Sequence, residues 1–418
     1  MPHKDQDVVV TGIGALTAAG PTAQDLWEAV LRGEGTARLI DRFETGDLPT
    51  RFASEVRDLG ERAENLLPRK MLRRTDRYVQ LGLIAAGEAW EDAGLNDAAN
   101  RPDPDRMAVF VGTGSGAASY FEENIRALDS GGFHAMSPFT ILRYSANSLS
   151  GAVSIRYNIL GASATFTTSC ASSAYALRAA RDEILLGRAD IALVIGAEAA
   201  VMRGTMAAFG AAGVMSKRND DPIHAARPFD ANRDGFVLGE GSAAIVIERG
   251  ARARARGAHI RAIVGSVGVS SDAFHQVACL PDGAGASRAM ERALKEAHLL
   301  TGDVGYINAH GSGTRLNDAA ETAAIRHTFG EHADRIPVSS TKPVHGHLIG
   351  AAGAVEAVIS ILSLENQIAP PTSNYNTRDP ECDLDYATTG PRPISSPVVL
   401  SNSFGFGGVN ATVAFTSV

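Results

Sequence analysis

Cys170 sits in the run ATFTTSCASSAYALRAARDEI, where a β-branched stretch gives way to a cysteine among small polar residues and then to apolar residues at helical spacing. Positions 164–168 read as a buried strand and 171–186 as a helix, so the thiol stands on a strand-to-helix turn. Unpaired N–H groups and the positive end of the helix dipole favour the thiolate there, the nucleophilic form of the side chain. The same turn also suits a small buried core cysteine, since free cysteine is among the most buried residue types.

Three further segments weigh toward nucleophilic catalysis. YINAHGSGTRLNDAAE places His310 at the end of an apolar strand. SSTKPVHGHLIGAAGAVEAVISIL places Lys342 and His347 on a second strand-to-helix turn. VVLSNSFGFGGVNATVAF places Phe404 and Phe406 in a glycine-rich turn between two strands. Each is an apolar strand that ends in a polar or glycine-rich corner, the usual seat of catalytic and binding groups in α/β folds.

The elements that must position these groups repeat. DVVVTGIGALTAAG resembles IRAIVGSVGVSSDA, RMAVFVGTGSG resembles VGYINAHGSGT, ATFTTSC with its helix resembles PVSSTKPVHGH with its helix, and IALVIGAEA resembles VVLSNSFGFGG. The same four strands recur in the same order, which predicts a duplicated α/β unit of helix-covered sheets, divided near Gly257 into halves 1–257 and 258–418. With 43 glycines and only 6% aromatic residues in 418, the interior must be built from Ala, Val, Ile and Leu on closely packed layers.

Composition excludes several classes. A net charge of −8 lacks the basic footprint of a nucleic-acid binder. The three cysteines are far apart with no CxxC spacing, so neither a disulfide framework nor a metal site is expected, and a reducing cytoplasm fits. No signal peptide is expected from MPHKDQDVVVTGIGALT, and no apolar stretch is expected to approach the ~20 residues that span a bilayer. Two basic clusters could dock an acidic partner: Arg69, Lys70, Arg73, Arg74 and Arg77, and Arg252, Arg254, Arg256 and Arg261. Each also suits a solvated helix face.

TGIGALTAAG, TTSCASS, RPFDANRDGFVLGEG, NAHGSGT, KPVHGHLIGAAGAVE and SNSFGFGGVN, in this order over nearly the whole chain, resemble the elongating β-ketoacyl-acyl-carrier-protein synthases of fatty acid and type II polyketide synthesis. The resemblance implies a thiolase-like fold with layers α-β-α-β-α and a decarboxylative Claisen condensation. Cys170 would take the acyl chain as a thioester, and His310 and His347, as neutral imidazoles, would stabilise the enolate from malonyl-acyl carrier protein. Lys342 would pair with Glu321 or Asp318. The N–H groups of Cys170 and Phe406 would form the oxyanion hole, with Phe236, Phe404 and Phe406 gating the malonyl side.

Ser312 and Thr314 would hold the phosphopantetheine arm carried by the acyl carrier protein, and no cofactor of the enzyme's own is implied. The implied partners are the carrier protein, docking on Arg69, Lys70, Arg73 and Arg74, and a second subunit, either an identical chain or a chain-length-factor-like one. Ser115 and Thr140 stand where the family carries bulk along the acyl tunnel, which implies a wider, more polar tunnel suited to unsaturated or oxygen-bearing chains. The family has Thr at the positions of Ser312, His345 and Val409. A thiolase would need a second cysteine in the turn that reads SFGFGG here, a non-catalytic chain-length factor lacks the nucleophile, and an initiating synthase carries Asn in place of His347.

Overall fold

A computed structural model describes residues 7–418, so the charges expected around position 5 lie outside the described residues. Ten strands form one continuous sheet. In chain order they are β1 (Val8–Thr17), β2 (Met107–Gly112), β3 (Ser163–Phe166), β4 (Ile191–Glu198), β5 (Gly241–Arg249), β6 (Ala262–Ser271), β7 (Val304–Asn308), β8 (Val338–Ser339), β9 (Val398–Gly405) and β10 (Val409–Thr416). Their spatial order is β8-β7-β9-β10-β6-β1-β5-β4-β2-β3.

From the central pair outward, one half runs β1-β5-β4-β2-β3 and the other β6-β10-β9-β7-β8, so each strand has its counterpart five places later. The pairing repeats as well: antiparallel, antiparallel, parallel, parallel in both halves. The halves meet where Val9 faces Ile263 and Val10 faces Ala262.

Five helices complete the layers: α1 (Arg77–Asp92), α2 (Ser172–Leu185), α3 (Ala284–Glu296), α4 (Arg315–Phe329) and α5 (Ala352–Asn366). Helices α2 and α5 lie between the two half-sheets, α1 covers the outer face of the first half, and α3 and α4 cover the second. This is the α-β-α-β-α stack. Strands β1, β4 and β5 are buried almost throughout, as strands covered on both faces must be. Two glycines explain the closeness of the outer layers. A methyl on Gly14 would fall 2.3 Å from the Ala85 carbonyl of α1, and one on Gly268 would fall 2.1 Å from the Ala289 carbonyl of α3.

Two expectations need correction. Strand β3, expected to be buried, is an edge strand and is at most half-buried, because among the described residues no strand pairs beyond it in the sheet. One stretch, Ile349–Asn366, is long and apolar enough to cross a membrane, with a mean hydropathy of 1.3 over 18 residues. It is the helix at the centre of the molecule and is 89% buried there, which gives its apolar sequence a packing reason.

Candidate active site

The turn at Cys170 is built as the sequence indicates. Strand β3 ends, Ser169–Ala171 make one 3₁₀ turn, and α2 begins at Ser172. The second turn has the same construction, with Ile349–Ala351 in a 3₁₀ turn ahead of α5. The first residue of each turn, Ser169 at φ 53° and Ile349 at φ 45°, lies in the left-handed region, which is strained for a β-branched side chain. These matched turns place Cys170 and His347 side by side.

Cys170 Sγ lies 3.2 Å from His347 Nε2. The backbone N–H of Ile349 donates to His347 Nδ1 at 3.2 Å, so Nδ1 carries a lone pair and the proton sits on Nε2, facing the sulfur. The His310 ring stands edge-on to His347, with centroids 5.2 Å apart, and ligand atoms of Cys170, His310 and His347 all lie within 4.8 Å of one another. A Cys-His-His set is a known zinc donor pattern, but here it does not fit one. A ligating His347 needs its lone pair on Nε2 and its other ring N–H given to an acceptor, the reverse of what the Ile349 N–H imposes.

Burial holds both imidazoles well below the usual histidine range, and the Lys342 ammonium adds to the effect in each case. Both are therefore neutral donors at physiological pH. The thiol contradicts the expectation of a ready thiolate: burial pushes Cys170 up to about 11, with the Ser169 hydroxyl and Lys342 opposing. The resting form is the thiol.

Lys342 is buried, and its partner corrects the sequence expectation. It pairs with Glu356 of α5 and also donates to the His310 carbonyl. Glu321 instead accepts the N–H groups of His310 and Gly311, each at 2.8 Å, and a bond from Asn402 at 3.1 Å. Asp318 accepts from Phe229 and Gly313 and faces the buried Arg233 at 3.5 Å. The His310 loop is thus held by its carbonyl on one side and its N–H groups on the other. Burial raises Glu321 and Glu356 to about 7 each.

His345 turns away from the reacting groups. Its Nδ1–H donates to the Gly346 carbonyl at 2.8 Å, so Nε2 accepts from the Thr341 hydroxyl at 3.0 Å, and the ring braces the turn between Lys342 and His347. Val409 opens β10 opposite Gly405, the last residue of β9.

Cys170, His310 and His347 open into a cavity of about 560 Å³ that Ser312, Thr314 and Phe406 also line. The Ser312 and Thr314 hydroxyls are 3.0 Å apart. Phe236 meets the His347 ring edge-on at 5.3 Å, and Phe404 lies 5.9 Å from the His310 ring. Phe209, which sequence reasoning missed, packs on Phe236 at 5.3 Å and reaches Phe406 at 6.4 Å. A methyl on Gly405 would fall 3.0 Å from the Cys170 nitrogen, a tight approach that would push the two backbones apart by a few tenths of an ångström.

Ser115 and Thr140 do not line this cavity. Ser115 donates to the buried Glu198, and the Thr140 hydroxyl lies 2.8 Å from Asn124 Oδ1. Neither hydroxyl is presented as a free polar group. Arg69, Lys70, Arg73 and Arg74 are exposed on the short helix Arg69–Leu72 and the turn after it, whereas Arg77 is turned inward onto Glu240. The second basic cluster is partly internal: Arg252 and Arg256 bind Glu248, and Arg261 binds Asp92 and Glu365.

The family model for the β-ketoacyl synthase N-terminal domain matches residues 5–253, and that for the C-terminal domain matches residues 261–376. The chain is 42% identical to a 3-oxoacyl-[acyl-carrier-protein] synthase 2 of Synechocystis sp., with 98% of this chain and 97% of that one aligned. It is 39% identical, over the same shares, to a putative polyketide beta-ketoacyl synthase 1 of Streptomyces cyaneus. Among solved structures, a type II polyketide ketosynthase in complex with its acyl-carrier protein, bound to the hexaketide, superposes with a TM-score of 0.91 at 30% identity, covering 99% of this chain and 100% of that one. The ishigamide ketosynthase/chain length factor superposes at 0.90 with 32% identity and the same coverage.

Proposed function

The chain belongs to the β-ketoacyl synthase family, and on that premise we propose that it is an elongating ketosynthase that condenses a Cys170-bound acyl chain with malonyl-acyl carrier protein. The observation that carries the reading is the thiol within 3.2 Å of an imidazole whose proton points at it, beside a second neutral imidazole. A thiol beside two neutral donors can accept an acyl group, and the two imidazoles can then stabilise oxygen charge on a second substrate.

In the first half-reaction the Cys170 sulfur attacks the thioester carbonyl of the acyl carrier. The new C–S bond forms, the bond to pantetheine breaks, and the leaving thiolate takes up the proton that Cys170 loses. In the second, the malonyl carboxylate leaves as CO₂ and its bonding pair becomes an enolate, whose oxygen is held by His310 and His347. The enolate carbon attacks the acyl-cysteine carbonyl, a C–C bond forms, and the Cys170 thiolate departs and is reprotonated. Ser312 and Thr314 orient the phosphopantetheine arm of the carrier, and the N–H groups of Cys170 and Phe406 serve the acyl oxyanion. Phe236, Phe404 and Phe406 gate the malonyl side.

Two half-reactions allow a clean test. Cys170→Ala should abolish covalent acylation with the fold intact. His347→Ala should still be acylated while malonyl decarboxylation falls ~10²-fold to ~10³-fold, the usual cost of losing an oxyanion-type donor. An acyl adduct on the Cys170→Ala protein, or undiminished decarboxylation in the His347→Ala protein, would refute the assignment.

We infer a second subunit, an identical chain or a chain-length-factor-like one, against the half-exposed edge strand β3 and the apolar side chains near it in sequence; Phe133 is 79% exposed, Ile141 72% and Leu142 63%. Sedimentation of the chain alone distinguishes the two by giving a dimer or a monomer. Three free cysteines support a place in the reducing cytoplasm. The small side chains at Ser115 and Thr140 support a wide acyl tunnel at that interface and a stiff or unsaturated chain. Ser115→Ile should shift Cys170 acylation toward short, saturated chains relative to Ser115→Ala, which loses the hydroxyl on Glu198 without adding bulk, and unchanged selectivity between the two would remove Ser115 from the tunnel.

A further inference from the structure

Glu198 ends strand β4 and is wholly buried. Its two oxygens receive four donors: the N–H of Gly114 at 2.6 Å, the N–H of Ser115 at 3.1 Å, the Ser115 hydroxyl, and the N–H of Gly350 at 3.0 Å. Each oxygen takes at least one backbone N–H, which favours the carboxylate, while burial outweighs these donors and raises the pKa; the Ser115 hydroxyl can accept as well as donate, so the contact holds in either protonation state. These bonds span the contact between the two halves of the duplication.

The contact leaves little slack. A methyl on Gly350 would fall 2.1 Å from the Gly114 nitrogen, and one on Gly114 would fall 2.6 Å from Ile349 Cγ2. Gly350 also follows the strained Ile349, and a strained backbone persists only where its surroundings over-determine it. Consecutive N–H groups of this turn have separate tasks. That of Ile349 fixes the lone pair of His347 Nδ1, and that of Gly350 is held by Glu198 Oε2.

We propose that Glu198 is a positioning residue whose carboxylate locks the Ile349–Gly350 turn against the Gly114–Ser115 loop and so keeps the His347 proton on Nε2, facing Cys170. The proposal rests on the reading of His347 as the enolate donor and extends it one residue outward. Without the clamp, the turn relaxes, the Ile349 N–H leaves Nδ1, and the ring loses its tautomer preference. The malonyl half-reaction then suffers, while acyl transfer to Cys170, which does not need that donor, continues.

The test is Glu198→Gln in the full-length protein, an isosteric change that sets an amide NH₂ against a backbone N–H. Nitrogen-15 spectra of histidine-labelled protein should show His347 as the Nε2–H tautomer in the wild type and as a mixture in the variant. Decarboxylation of malonyl carrier should fall roughly 10-fold, with an unchanged KM, while Cys170 acylation stays within about twofold. Glu198→Asp keeps the charge but withdraws it by one carbon, and it should give the same split if the glutamine variant does not fold. A wild-type tautomer and rate in whichever variant folds, or equal loss of both half-reactions, would overturn the proposal. A wild-type enzyme that fails to decarboxylate malonyl carrier would refute the functional reading instead.

Discussion

Alkylation of Cys170 by iodoacetamide, followed across pH, opposes two causes that act on one thiol. Burial pushes the group up to about 11. The N-terminus of α2 acts the other way, but a helix dipole contributes at most ~2 kcal/mol, about 1.5 pK units. The dipole therefore leaves the thiol above the ~8.5 of free cysteine.

At pH 7.5 a thiol at about 11 is ionised to roughly 3 parts in 10⁴, and one lowered by the full dipole contribution to about 1 part in 100, against about 10% for a free cysteine, a deficit of about 10-fold to 300-fold. The more basic thiolate is more nucleophilic, which returns about 3-fold over one unit and about 10-fold over 2.5 units at a Brønsted slope of 0.4–0.5. Cys170 should then alkylate roughly 3-fold to 30-fold more slowly than free cysteine at neutral pH, and its rate should rise about 10-fold per pH unit up to about pH 9. Peptide mass spectrometry separates Cys170 from Cys279 and Cys382. A flat rate from about pH 6 to about pH 9 would refute the reasoning, because it would require a thiolate-imidazolium pair with His347 charged. Burial and Lys342 both oppose that charge.

Two further predictions concern the surroundings of the site. Lys342→Ala leaves Glu356 buried without its cation, so that a carboxyl already raised to about 7 must take up a proton or stand charged and unpaired, and should destabilise the protein by up to ~3–5 kcal/mol, more above pH 7 than below it, whereas Lys342→Met with Glu356→Gln removes both charges and should recover most of the loss in urea unfolding. Equal losses in the single and double variants would show that the ion pair is not the source. Arg73→Glu with Arg74→Glu should raise KM for carrier-bound acyl substrate and flatten its salt dependence, without affecting a small pantetheine thioester; an equal loss on both substrates would indicate misfolding.

Much of the site was legible because each functional residue follows an apolar strand at a break in its pattern. The strand echo identified the duplicated fold, since matched strands carry matched hydrophobic runs. The partner of Lys342 was not read correctly. Glu321 and Asp318 were favoured because they follow His310 closely, yet both are engaged by backbone N–H groups. The signal for Glu356 was present: it is the lone charge in the core of an apolar helix, and a buried charge requires a partner. Glu198, the only charge in IALVIGAE, carried the same signal. The ionisation of Cys170 was not legible, because sequence shows the helix N-terminus but not the depth of burial that outweighs it.

The duplication also explains why one molecule has a single nucleophile. By position in the two 3₁₀ turns, Cys170 and Gly350 are counterparts, and by position in the two eight-residue strands so are Gly405 and Glu198. Each strand end faces the turn of the opposite half. Glu198 occupies the N–H of Gly350, while Gly405, lacking a side chain, keeps the approach to the Cys170 N–H clear. A cysteine at 350 could not fit, because even a methyl would strike the Gly114 nitrogen. One turn thus has its N–H bonded to Glu198, while the other has no side chain from the facing strand end over its N–H, as the proposed role of that N–H toward a thioester oxygen requires. The two halves share one backbone design, and the difference between a carboxylate and a bare glycine at a single strand position separates support from chemistry.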